Sequence, residues 1–118
     1  PTYVYMFSSD FKFETGLPAW HNADIPFFFG NADRIQFCCA TQNWEALAEL
    51  MPASFSAFAH TGNPSIEGLP AWQPADSEHV PTMIFDKNIE IKTDYDDELI
   101  AFINNITLPS ARVHKQDT

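Results

Sequence analysis

His21 and Asp24 stand three residues apart in the stretch L-P-A-W-H-N-A-D-I-P-F-F-F-G-N, residues 17–31. An imidazole exchanges a proton readily near neutral pH, which makes a loop histidine a candidate general base. Its aromatic and aliphatic neighbours allow two roles: packing, or membership of a reaction centre whose other parts lie elsewhere. The remaining histidines carry less chemistry. His60 falls near the end of a helical run, where the helix dipole favours a cation, and reads as structural. His79 and His114 lie in polar stretches and read as solvated.

Other constellations are weaker still. Cys38 and Cys39 are adjacent, and a bridge between neighbours needs a strained ring, so two packed thiols are expected. No C-x-x-C or H-E-x-x-H spacing occurs, and zinc is not expected. The acidic group Asp94, Asp96, Asp97 and Glu98 suits a helix N-terminus and lacks EF-hand spacing, so no calcium is expected either. No G-x-S-x-G and no HGGG-type stretch is present to supply a nucleophile elbow or an oxyanion hole. If His21 is a base, its nucleophile must come from outside these residues. No cofactor is called for.

The elements that must position His21 follow from patterning. "TYVYMFS", Thr2 to Ser8, is β-branched and aromatic with little alternation, which predicts a strand covered on both faces and central in a parallel or mixed sheet. An irregular segment with Gly16, Pro18, Pro26 and Gly30 follows, so His21 sits on a loop after a buried strand. From Asn43 to His60, Trp44, Leu47, Ala48, Met51, Phe55, Phe58 and Ala59 recur at three and four residues, the period of an amphipathic helix. Thr41 or Asn43 would cap it and Gly62 with Pro64 would end it. Pro52 predicts a kink or a division into two helices.

Gly62 to Asp76 reads as a surface loop anchored by Trp72. "TMIFD" and "IEIKTD", separated by Lys87 and Asn88, predict an antiparallel hairpin. Asp94 is expected to cap a last helix, "YDDELIAFINNI", with Leu99, Phe102, Ile103 and Ile106 on one face. Residues 109–118 have little to bury and are expected to form a flexible tail.

Composition bounds the class. The 118 residues are 45% hydrophobic, ordinary for a single globular domain. Sixteen acids against six bases give a net charge of −10, which would repel nucleic acid and anionic lipid. No run reaches the roughly 18 apolar residues of a membrane span, and Pro1 opens no signal segment. A soluble chain is expected. Because no cysteine pair demands oxidising surroundings, the cytoplasm is slightly favoured over secretion.

Taken in order, the "YVYMFS" strand, "AWHNADIPFFFGN", the helix end "FSAFAHTGNPS", then "LPAWQP" and a short hairpin resemble the C-terminal region of the type-B carboxylesterases. The resemblance covers roughly Thr2 to Ile106. It implies an α/β fold: the C-terminal portion of an α/β-hydrolase, with residues 1–108 as part of that domain. It implies a serine carboxylester hydrolase in which His21 is the base of a Ser-His-acid triad. Asp24 matches the family's buried acid that follows the histidine, and would hold the loop; it is not the triad acid. Asn22 stands where many members have Gly, a mild departure.

In α/β hydrolases the histidine comes last of the triad along the chain, consistent with that placement. The resemblance further implies an ester as substrate and the N-terminal portion of the hydrolase domain as partner, with the chain alone inactive. Self-association is expected if the strand and helix faces lack that partner. Two alternatives stay open from the residues: a non-catalytic cholinesterase-like binding protein, and an autonomous small interaction module.

Overall fold

The run of Tyr, Val, Met and Phe near the N-terminus forms β1, Val4–Phe7, and its partner comes from the far end of the chain. A computed structural model describes residues 1–12 and 16–106. The tail expected at 109–118, with His114, lies outside the described residues. β1 pairs in parallel with β2, Pro81–Phe85, through Tyr5 opposite Met83 and Phe7 opposite Phe85. β2 pairs antiparallel with β3, Glu90–Thr93, closing the hairpin the sequence predicts. The sheet order is β1-β2-β3, so β1 lies at an edge and β2 in the centre.

The edge position corrects one expectation. Tyr5 and Met6 are 42% and 40% exposed, so β1 is not covered on both faces within this chain. Successive residues of a strand point to opposite faces, so exposure of both shows that the described residues only partly cover each face of β1. β2 instead carries the buried character expected of a central strand, with Thr82, Met83, Ile84 and Phe85 all buried.

Between β1 and β2 the chain forms α1, Ile25–Phe28, a 3-10 turn at Ala32–Arg34, α2, Gln36–Cys39, and α3, Trp44–Thr61. Tyr3, Tyr5, Phe7, Met83 and Phe85 share one side of the sheet, since alternate residues face the same way. That side meets Phe27, Phe28 and Trp72, and the core continues through Phe11, Ala32, Cys38, Leu47 and Met51. Trp72 is buried, as an anchor for its loop should be. Both cysteines are free. Cys38 is buried, which with Cys39 beside it pushes its thiol up to about 11.

α3 runs for 18 residues with Pro52 inside it, so of the two expectations, a kink or a division, the division into two helices does not occur. Pro52 forfeits one backbone hydrogen bond, while Leu47, Met51 and Ser54 bury the face that keeps the helix going. Asn43 occupies the N-cap with φ 63°, yet its side chain makes no capping bond. The C-terminus follows the sequence closely: Gly62 has φ 76° and donates its N–H to Phe58 at 2.8 Å. Thr61 then donates its hydroxyl to the Ala57 carbonyl and accepts the Asn63 N–H, while Asn63 Oδ1 accepts the Ser65 N–H. Each residue of T-G-N-P therefore has a local task in turning the chain.

α4, Asp97–Asn105, starts later than the expected cap at Asp94. Asp96 takes the N-cap position without a side-chain bond, and Asp94 adopts φ 56° and turns its carboxylate toward His79 and Val80. That competing use of the carboxylate is why Asp94 cannot cap. The predicted apolar face of α4 exists, but Leu99, Phe102, Ile103 and Ile106 are all exposed. No helix among the described residues is long and apolar enough to cross a membrane.

Candidate active site

His21 lies on the turn between β1 and α1, where the chain has just left Trp20 and is about to enter the helix. Backbone bonds tighten this turn on both sides: Ala23 N–H to Trp20 O at 3.0 Å and Ile25 N–H to Asn22 O at 3.3 Å. Asn22 has φ 72°, a left-handed conformation open to Gly and tolerated by Asn. The departure from Gly therefore sits at a position whose backbone suits Gly and is tolerated by Asn. The His21 side chain is exposed, and among the described residues its ring makes no hydrogen bond. It does not pack into the core.

What lies beneath the turn is fixed. Asp24 is the N-cap of α1, and its carbonyl accepts from Phe27 and Phe28. Its carboxylate makes no capping bond; Asp24 Oδ2 instead accepts the Tyr5 hydroxyl at 2.8 Å. Burial and the neighbouring Asp24 carboxylate push the Tyr5 phenol up to about 12, so it remains a donor across the range in which proteins work. Pro26 suits the first turn of α1 because no partner is needed there for an N–H. Gly30, φ 67°, ends the helix against Pro52 of α3, whose Cβ would lie 3.9 Å from a Cβ placed on Gly30.

The three consecutive phenylalanines diverge because a helix rotates each residue by about 100°. Phe27 is fully buried, Phe28 packs edge-on against Tyr5, Phe55 and Phe85, and Phe29 is 74% exposed. Trp20 stacks near Phe11 and Phe37, with centroids at 4.4 and 5.1 Å. An open cavity of about 490 Å³ lies between β1, α1 and α3, lined by Tyr3, Tyr5, Asp24, Phe28, Phe55 and Trp72 among others. His21 is not among its lining residues.

The structure thus brings Asp24 to Tyr5, a partner the sequence gave no sign of, because the two are 19 residues apart and on different elements. His60 bonds its own helix, Nδ1 lying 2.8 Å from the Ser56 carbonyl oxygen. His79 is paired with Asp94 rather than merely solvated. Among the described residues no three His, Cys, Asp or Glu side chains are grouped to hold a metal ion.

A mixed sheet whose two parallel strands are linked by a helical crossover, with a histidine turn following the first strand, makes this part of an α/β-hydrolase fold of the esterase kind. Residues 1–103 match the Carboxylesterase family, and the chain belongs to it. It is similar to para-nitrobenzyl esterase of Bacillus subtilis (strain 168), 31% identical over 101 residues, covering 83% of this chain and 20% of that protein. It is similar to carboxylesterase 5A of Canis lupus familiaris, 33% identical over 97 residues, covering 79% of this chain and 16% of that one.

Among solved structures, an esterase from Clostridium hathewayi described as hydrolysing aliphatic aromatic polyesters superposes with a TM-score of 0.79 at 29% identity, over 87% of this chain and 21% of that one. A thermophilic PNB esterase superposes with a TM-score of 0.70 at 30% identity, over 82% of this chain and 20% of its own. The chain spans about a fifth of the length of these relatives.

Proposed function

We propose that the chain is the C-terminal segment of a serine carboxylester hydrolase and that His21 is its general acid and base. Neutral imidazole accepts the proton of a serine hydroxyl as that oxygen attacks the ester carbonyl, then gives it to the departing alcohol. In the second half His21 takes a proton from water, whose oxygen attacks the acyl-serine, and returns it to the serine. The serine, the acid that orients the ring and the oxyanion donors come from the N-terminal portion of the domain.

The observation that carries this proposal is the placement of His21 in a family member: exposed on the turn after β1, with no hydrogen bond to its ring among the described residues and its backbone held by Asn22 and α1. A packing histidine would be buried. Asp24 supports the turn from below through Tyr5. The partner is then the rest of the hydrolase domain, seated against β1 and the uncovered helix faces, and the substrate class is carboxylic esters.

The test is a His21→Ala substitution in the complete hydrolase, assayed with p-nitrophenyl acetate. The expected loss is roughly four orders of magnitude or more in kcat. Retention of more than about a tenth of the activity, far above what a missing general base permits, removes the assignment. A complete protein that binds a partner protein and hydrolyses no ester would instead favour the cholinesterase-like binding role.

A further inference from the structure

We infer that Tyr5 is a positioning residue for the His21 turn, acting through the Asp24 carboxylate; this rests on the proposed role of His21. Four observations support the inference. Tyr5 is fixed in β1 by pairing with Met83, and its ring is wedged between Phe28 and Phe85 at 5.0 and 6.1 Å. Its hydroxyl reaches Asp24 Oδ2 at 2.8 Å. Asp24 is simultaneously the N-cap of α1, so its position sets where the helix begins. His21 precedes Asp24 by one tight turn closed by the Ala23 to Trp20 and Ile25 to Asn22 bonds.

The alternative use of Asp24 makes the arrangement informative. An aspartate at an N-cap ordinarily bonds the free N–H groups of the first helical turn. Here the carboxylate leaves those groups and takes the strand phenol, so the bond ties the turn to the sheet rather than stabilising α1 by itself. A general base must sit within a fraction of an ångström of its proton, and a turn anchored to a strand drifts less than one anchored to its own short helix. Tyr3 supplies the contrast. It lies two residues earlier on the same face and packs edge-on against Phe58 and Trp72, but among the described residues its hydroxyl makes no hydrogen bond.

The experiment compares Tyr5→Phe, Tyr3→Phe, Asp24→Asn, the Tyr5→Phe/Asp24→Asn pair and His21→Ala in the complete hydrolase with p-nitrophenyl acetate. Tyr5→Phe keeps the ring and removes only the donor. It should lower kcat by roughly tenfold, within the range a displaced catalytic group costs, with KM and Tm nearly unchanged. Tyr3→Phe should leave kcat alone. The double variant should cost no more than the costlier single variant, because both substitutions break one link. Wild-type kcat in Tyr5→Phe, or additive losses in the double variant, overturns the positioning role while leaving the base assignment intact if His21→Ala is dead. An active His21→Ala overturns both. A Tyr5→Phe loss matched by an equal loss in Tyr3→Phe shows general strand damage and also overturns it.

Discussion

Asp94 holds two groups of the preceding loop at once: His79 Nδ1 donates to its Oδ2 at 2.8 Å, and the Val80 N–H donates to its Oδ1 at 2.6 Å. Asp76 completes the clasp by accepting the N–H groups of Glu78 and His79. The loop before β2 is thereby fastened to the corner after β3.

This pair has a pH signature. Its bond to Asp94, then the charge of that carboxylate, raises His79 above the ordinary 6.5. The bond to His79, then the one from Val80, lowers Asp94 below the ordinary 3.8. The histidine contribution to stability is complete below 6.5 and fades as pH rises through the raised value. The aspartate contribution is complete above 3.8 and fades as pH falls through the lowered value. The clasp is therefore strongest between those two ordinary values. A proton NMR titration should place the His79 midpoint above 6.5, and Asp94→Asn should bring it back down. Because the His79 side chain is 63% exposed, salt of about 1 M should shrink the shift. An Asp94→Asn titration indistinguishable from the parent would show that the pair does not form in solution.

Ser54 offers a stability test away from the candidate site. Its buried hydroxyl donates to the Pro64 carbonyl at 2.7 Å, stitching the end loop back onto α3. Ser54→Ala leaves that carbonyl without its partner and should cost about 1–3 kcal/mol in urea unfolding. A loss under ~0.5 kcal/mol would mean that water replaces the hydroxyl.

How far the sequence reached depends on whether the partners were local. The Phe58 to Ser65 helix end was legible, since Gly62, Asn63 and Pro64 carry turn chemistry that acts within a few residues. The hairpin was legible for the same reason. Asp94 was misread because an acid just before a helix looks like a cap, whereas its real partner, His79, lies 15 residues back. The strand character of β1 could be read, but not its edge position, which depends on which strand sits beside it. At the candidate site His21 and Asp24 stood out by motif; Tyr5 did not, because nothing in "TYVYMFS" says that one phenol of two will find a carboxylate.

Activity of the isolated 118 residues is a separate prediction. With the proposed base but no elbow serine, the chain should hydrolyse p-nitrophenyl acetate no faster than free imidazole at equal concentration. Saturable turnover that disappears in His21→Ala would show that the chain holds a nucleophile of its own.

Exposure of apolar faces predicts association of the isolated chain. Phe55 and Phe58 on α3, Leu99, Phe102, Ile103 and Ile106 on α4, and the open edge of β1 are uncovered together. Sedimentation velocity at micromolar concentration should give species heavier than a monomer, and a hydrophobic dye should bind. A monomer with sharp, cooperative melting and no dye binding would favour an autonomous module.

The parallel register of β1 on β2 also dictates the order in which the chain can fold. Ser8 at the end of β1 bonds Asp86 at the end of β2, 78 residues away. The β2–β3 hairpin and α3 close through near neighbours and can form within microseconds. Among the described residues β1 pairs only with β2, so this pairing waits until the chain has been made as far as Phe85, and closing so long a loop carries an entropic cost. On a ribosome, the strand that carries Tyr5 therefore reaches its β2 partner only after the Asp24 turn has been made, and the Tyr5–Asp24 bond joins a local turn to a pairing of long sequence separation.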